Sequence, residues 1–247
     1  MISRSADLEK KKSPESAGQY VGQHEEGASS AVALSKNAVP NRCKQFEADL
    51  KRALHLFEVL VHQGQTMPSG KAARALRQPD KRDAAQFIFF EIAAKFEALI
   101  QDLFLIEVRK KLSVSPSRAV FIMGHVDRGL TGVMGWGSVN QVRDRARNLF
   151  GKVGFFAHID TWPGSTAYQR LQLAHTLRNR VAHDTPDARA KYRKALGSLN
   201  VPKKSRQGAG VGRVLLEYPL TATSTDRWFH RFLEAYRLVA TRARKRL

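Results

Sequence analysis

Thirty consecutive residues, Asp83 to Leu112, read "DAAQFIFFEIAAKFEALIQDLFLIEVRKKL" without a single glycine or proline. Nothing in that stretch interrupts helical geometry, and as one helix it would run about 45 Å. Phe87, Phe90, Ile92, Phe96, Leu99, Ile100, Leu103 and Phe104 spread apolar side chains over most of its surface. A helix that apolar has to be enclosed, so it is predicted to be central to the core or partly covered by a second subunit. Arg109, Lys110 and Lys111 end it with positive charge, which suits a helix C-terminus.

The rest of the chain supplies helices to enclose it. Phe46, Leu50, Ala53, Leu54, Phe57, Leu60 and Val61 recur at helical spacing behind Asn41, a plausible cap. Two prolines and two glycines between Gly64 and Pro79 read as a loop. "SVNQVRDRARNLF" reads as a shorter helix, and "TAYQRLQLAHTLRNRVAH" as another, capped by Ser165 or Thr166 and stopped by Pro186. "DARAKYRKALGSL" reads as a short helix, "VPKKSRQGAGVGR" as a flexible basic loop, and "VLLEY" as a strand-like segment with no evident partner. The last element sets Trp228, Phe232, Leu233, Tyr236 and Val239 on one face. The expected fold is therefore all-α, an antiparallel helical bundle over residues 41–247. Residues 1–40, with few large apolar side chains, are expected to form a disordered tail.

Charge narrows the partners. The chain has 42 Lys plus Arg against 22 Asp plus Glu, a net of +20. Residues 1–40 are balanced, with five bases and five acids, so the whole excess falls on the predicted bundle. Residues 178–247 alone carry 17 bases and five acids. Such an excess on a folded domain favours a polyanionic partner, of which nucleic acid is the usual one. Cys43 is the lone cysteine, so no intrachain disulfide can form and a reducing compartment is expected. No apolar run follows the N-terminal charges, and no stretch approaches the roughly 20 apolar residues of a membrane span. A cytoplasmic location, with no membrane partner, is the expectation.

Several chemistries are disfavoured by pattern. "AVFIMGHVDRGLTG" imitates a phosphate-binding loop but has Leu130 where a lysine must reach the terminal phosphates. A flexible loop near a functional face is the better reading. There is no CxxC pair, no HExxH and no GxSxG elbow, so no metal site or cofactor is expected.

"TLRNRVAHDTP", residues 176–186, crowds two arginines, an asparagine and a histidine into the end of a helix. At about 100° per residue, Gln172, Thr176 and Asn179 lie within roughly 40° of His183, whereas Arg178 lies about 140° away. Three arrangements could reconcile them: Arg178 snorkels outward, the last turn unwinds before Pro186, or Arg178 meets groups of another subunit. Alternatively the cluster only caps the helix, with His183 and the arginines answering its dipole.

"RNRVAH" resembles the signature of the HEPN superfamily, Arg-x(4–6)-His with a polar residue, commonly Asn, after the arginine. Arg178, Asn179 and His183 match it, and a RiboL-PSP-type branch is a further resemblance. Many HEPN proteins are metal-independent endoribonucleases whose site forms where two subunits meet. The resemblance thus implies RNA as substrate and a homodimer. It also implies an antitoxin protein as partner in a toxin–antitoxin or anti-phage defence setting. His183 would be general acid or base, Arg178 the phosphate clamp and Asn179 the positioning group. Products would carry 2′,3′-cyclic phosphate and 5′-hydroxyl ends. Arg180, Lys203, Lys204 and Arg206 would bind the RNA backbone, and His175 is a candidate second proton carrier. The alternatives are a non-catalytic module of the same type that binds RNA or a partner protein, and a DNA-binding or purely structural bundle.

Overall fold

A computed structural model describes residues 38–62, 76–129, 136–161, 165–220 and 226–247 of the chain. The expected tail lies outside these residues as far as position 37. Every regular element among them is helical, joined only by one isolated antiparallel bridge between Pro219 and Arg227. The order is α1 (Ala38–His62), α2 (Gln78–Leu112), α3 (Pro116–Gly129), α4 (Val139–Phe150), α5 (Ser165–Ala182), α6 (Pro186–Ser198), α7 (Val211–Glu217) and α8 (Trp228–Arg246). Short 3-10 turns follow α4, at Gly151–Val153 and Phe156–His158, and α6, at Lys203–Gly208. No helix among the described residues is long and apolar enough to cross a membrane.

The long helix is the axis of the bundle, as its composition requires. Along α1 the buried residues are Val39, Cys43, Phe46, Leu50, Ala53, Phe57 and Leu60. That alternation of four and three residues is a seam of the coiled-coil kind. Asp49 meets Lys95 at 2.8 Å and Arg42 meets Asp102 at 3.2 Å, so α1 runs antiparallel to α2. Helix α8 completes the trio: Phe57 stacks on Phe229 at 4.1 Å, Phe96 on Tyr236 at 4.1 Å, and Phe89 lies 5.7 Å from Phe232. Glu58 with His230 and Glu47 with Arg244 set α8 antiparallel to α1. Cys43 is fully buried in this seam, and burial pushes its thiol up to about 11. Phe87, 67% exposed, and Leu112 at the helix end are the exceptions on α2.

Several boundaries differ from the sequence expectation, each for a local reason. Helix α1 begins at Ala38 rather than after Asn41, with Pro40 in the first turn where its missing N–H costs nothing. Likewise Pro79 lies in the first turn of α2, which extends five residues upstream of Asp83. The apolar run before "GHVDRG" is helical through Gly129, so the expected flexible loop is helix as far as it is described. "VLLEY" is no strand: Val214, Leu215 and Leu216 are buried within α7, which packs against the start of α2. The close approach is set by Gly212, where a methyl group would lie 1.9 Å from the Arg82 carbonyl oxygen. The "flexible" basic loop is ordered as well. Its 3-10 turn is held by Arg206 Nε donating to the Val201 carbonyl at 2.9 Å, and Tyr192 donates its hydroxyl to the Ala209 carbonyl at 2.9 Å.

Candidate functional site at the end of α5

Leu171, Ala174 and Leu177 bury one stripe of α5 in the bundle, which leaves its polar stripe at the edge of the core. The helix closes at Ala182, yet the His183 N–H still bonds the Asn179 carbonyl at 2.9 Å. Pro186 is not the stop signal but the start of α6. Its fixed φ suits a first helical position, and the Thr185 side chain caps it by accepting from the Ala188 N–H at 3.2 Å. The last turn of α5 therefore stays wound as far as His183.

Arg178 reaches across to α2 within the same chain. Its Nη2 donates to Glu97 Oε2 at 2.7 Å, its Nη1 to Asn179 Oδ1 at 3.3 Å, and its guanidinium lies 5.7 Å from the Phe90 ring centre. The two charged side chains are 21% and 18% exposed, so the pair sits at the margin of the core. Burial pushes Glu97 up from its ordinary carboxylate value, outweighing the pull of the Arg178 charge and of the His183 ring. Arg178 and His183 diverge on the helical wheel: Arg178 bonds the carboxylate directly, whereas His183 bears on it only through its charge. His183 itself is exposed, and its ring makes no hydrogen bond or ion pair among the described residues.

Asn179 joins the cluster to His175. Its amide donates to His175 Nε2 at 2.9 Å, which fixes that nitrogen as the acceptor and leaves the proton on Nδ1. Burial, helped by the charges of Arg178 and Lys191, pushes His175 down to about 4. At neutral pH it is uncharged, so it orients Asn179 rather than supplying a proton. A backbone wedge completes the arrangement. A methyl group on Gly137 would lie 2.3 Å from Glu97 Oε1 and 2.8 Å from His175 Nδ1, so only glycine fits between them unaltered. The neighbouring Trp136 anchors the wedge, its ring 5.2 Å from Phe104 with the Arg145 guanidinium 4.6 Å over it.

The other sequence candidates lie elsewhere. Arg180 donates to Asp184 at 2.7 Å, and Arg189 donates to both oxygens of the same carboxylate at 2.8 Å. Lys203 and Lys204 are exposed on the 3-10 turn that packs on α6, while Arg206 is committed to holding that turn. Among the described residues no group of three or more His, Cys, Asp or Glu side chains could hold a metal ion.

Comparisons with family models, curated proteins and solved structures give no match. The site must be judged on its own chemistry. Two of its parts escape sequence reading, Glu97 and Gly137. A signal for Glu97 did exist, since a carboxylate one residue from Phe96 in so apolar a helix needs a cation. The sequence does not say which of 42 bases supplies it.

Proposed function

We propose that the chain is a metal-independent endoribonuclease that cleaves RNA through its own 2′-hydroxyl. The observation that carries the reading is the cluster at the end of α5: Arg178, held by Glu97 of α2 and by Asn179, and five residues on an exposed His183 whose side chain makes no hydrogen bond or ion pair among the described residues. An imidazole whose ordinary pKa is about 6.5 moves protons near neutral pH, and a guanidinium offers forked donors to phosphoryl oxygens. In this reaction the 2′-oxygen bonds to phosphorus as its proton passes to the His183 imidazole. The P–O5′ bond breaks, and the departing 5′-oxygen takes up a proton. The ends are a 2′,3′-cyclic phosphate and a 5′-hydroxyl. Arg178 stabilises the dianionic phosphorane and Asn179, aligned by His175, holds an oxygen in place. A homodimer pairing two α5 ends would bring a second His183 to protonate the leaving oxygen. The charge excess would hold the RNA, with Arg180, Lys203 and Lys204 on the backbone. A role as toxin or defence factor, with an antitoxin partner, accompanies this reading through the HEPN resemblance.

One observation favours a second reading, a module that binds RNA or a partner protein without cutting. Glu97 already neutralises Arg178, so a phosphate must compete for the guanidinium or wait until that carboxyl is protonated. Cleavage of end-labelled tRNA and mRNA in excess EDTA, wild type beside His183→Ala, separates the two. Cutting by the wild type alone, with cyclic-phosphate ends, is the expected result. Equal binding without cleavage by both proteins would refute the nuclease reading in favour of the module. Because His183 is exposed and makes no hydrogen bond or ion pair among the described residues, the variant should melt within about 2 °C of wild type.

A further inference from the structure

The aromatic rings of α2 are taken up by the fold, with one exception. Phe89 and Phe96 pack on α8, Phe104 packs on Trp136, and Phe90 lies 5.7 Å from the Arg178 guanidinium. Phe87 is 67% exposed. It is the only exposed large apolar side chain of α2 before Leu112 at the helix end.

Its position ties it to the end of α5. Phe87 and Phe90 are three residues apart, so they are neighbours on one face of α2, with about 5–6 Å between their Cβ atoms. Glu97 and His175 both border Gly137, whereas Arg178, three residues further along α5, also lies against Phe90, seven residues back along α2. The two helices therefore run antiparallel, and the turn from Arg178 to His183 heads for the Phe87 end of α2. The open ring stands beside the candidate site, on its His183 side.

Charge and area decide what can sit on that ring. Asp83 and Glu91 are exposed one turn before and one turn after Phe87, and Glu91 meets Lys95 at 3.4 Å. Two flanking carboxylates repel a phosphate but not an uncharged, flat base. A single aromatic side chain buries at most about 150–250 Å², against roughly 800 Å² per partner in a stable protein interface, so the ring is too small to seat a second copy. A nucleobase meets both limits. Unpaired RNA bases are held in just this way, stacked on aromatic side chains, whereas a duplex keeps its bases stacked on one another. We propose that Phe87 is a stacking platform for a base of single-stranded RNA, next to the phosphate held at Arg178 and His183. The inference rests on the reading of this end of α5 as an RNA site and adds the substrate class, an unpaired strand.

Binding of short single-stranded oligoadenylate tests the platform, read by fluorescence anisotropy on full-length His183→Ala protein so that no strand is cut. Phe87→Ala, at an exposed position that spares the fold, should weaken binding at least about fivefold, the low end of the loss for one stacked base. The slope of log affinity against log salt should not change, because no phosphate contact is removed. Phe87→Trp should keep the affinity and Phe87→Leu should not, since leucine offers apolar surface without a flat ring. Pairing the strand with oligouridylate should weaken binding by a similar factor. Unchanged affinity in Phe87→Ala, full affinity in Phe87→Leu, or a dimer that Phe87→Ala dissociates in sedimentation would overturn the platform and leave the RNA site at Arg178 standing. No binding of oligoadenylate by the protein with Phe87 intact would instead refute the RNA site, and the platform with it.

Discussion

Acid should unseat His175, and the size of the effect can be worked out. In the unfolded chain the imidazole takes its proton near 6.5, whereas in the folded protein it does so only at about 4. Between those values the unfolded chain binds more protons, so stability rises with pH there. The contribution is fully present above about pH 6.5 and is lost as pH falls through the folded value. At about 1.36 kcal/mol per decade it totals roughly 3 kcal/mol, of which about 2 kcal/mol disappears between pH 7 and pH 5. The cause is local: a protonated Nε2 becomes a donor facing the Asn179 amide, and a cation beside Arg178. Urea unfolding at pH 7, 6 and 5 should be run on wild type and on His175→Gln. The glutamine oxygen can still accept from Asn179 but does not titrate. Glu97 and Glu107, raised by burial, contribute with the opposite sign, but they do so in both proteins and cancel in the difference. Wild type should lose about 2 kcal/mol more than the variant over that range. Parallel curves would show that His175 is not held neutral by the fold, and the assigned role of aligning Asn179 would fall with it.

Gly212→Ala should destabilise by about 1–3 kcal/mol or more in thermal melts, because the added methyl meets Arg82 backbone, which cannot rotate away. Glu97→Gln should cost about 1–3 kcal/mol by leaving the Arg178 charge half-compensated, and filter binding should show tighter RNA association once the guanidinium is released. Lys203→Ala and Lys204→Ala should each lower the salt slope of RNA binding by about 1 with no change in melting. Arg206→Ala, in contrast, should lower the melting temperature, since that side chain holds the 3-10 turn.

The long-range plan of the fold was legible because α2, α1 and α8 bury long periodic faces, and Trp228, Phe232, Leu233, Tyr236 and Val239 all enter the core as their spacing implies. Helix α7 was not. At seven residues it is too short to show a period, and it is covered so completely that the apolar run of a strand and of a helix look alike. Pro186 was misread for a different reason: a proline that ends one helix and one that opens the next leave the same local mark, and only the Thr185 cap tells them apart. At the site, sequence spacing singled out Arg178, Asn179 and His183. The partner of Arg178 could not be read from it, since Glu97 lies 81 residues away and the contact is made by tertiary packing.

The pairing of α1 with α8 has a consequence in time. Phe57 and Phe229 stack although 172 residues separate them, and Glu47 waits for Arg244, 197 residues later. At roughly 5–20 residues per second, synthesis of the intervening chain takes on the order of 10–40 seconds. Throughout that interval the seam of Cys43, Phe46 and Phe57 can be covered on the α2 side only. A nascent chain therefore carries this aromatic stripe without its α8 partner until α8 has left the ribosome.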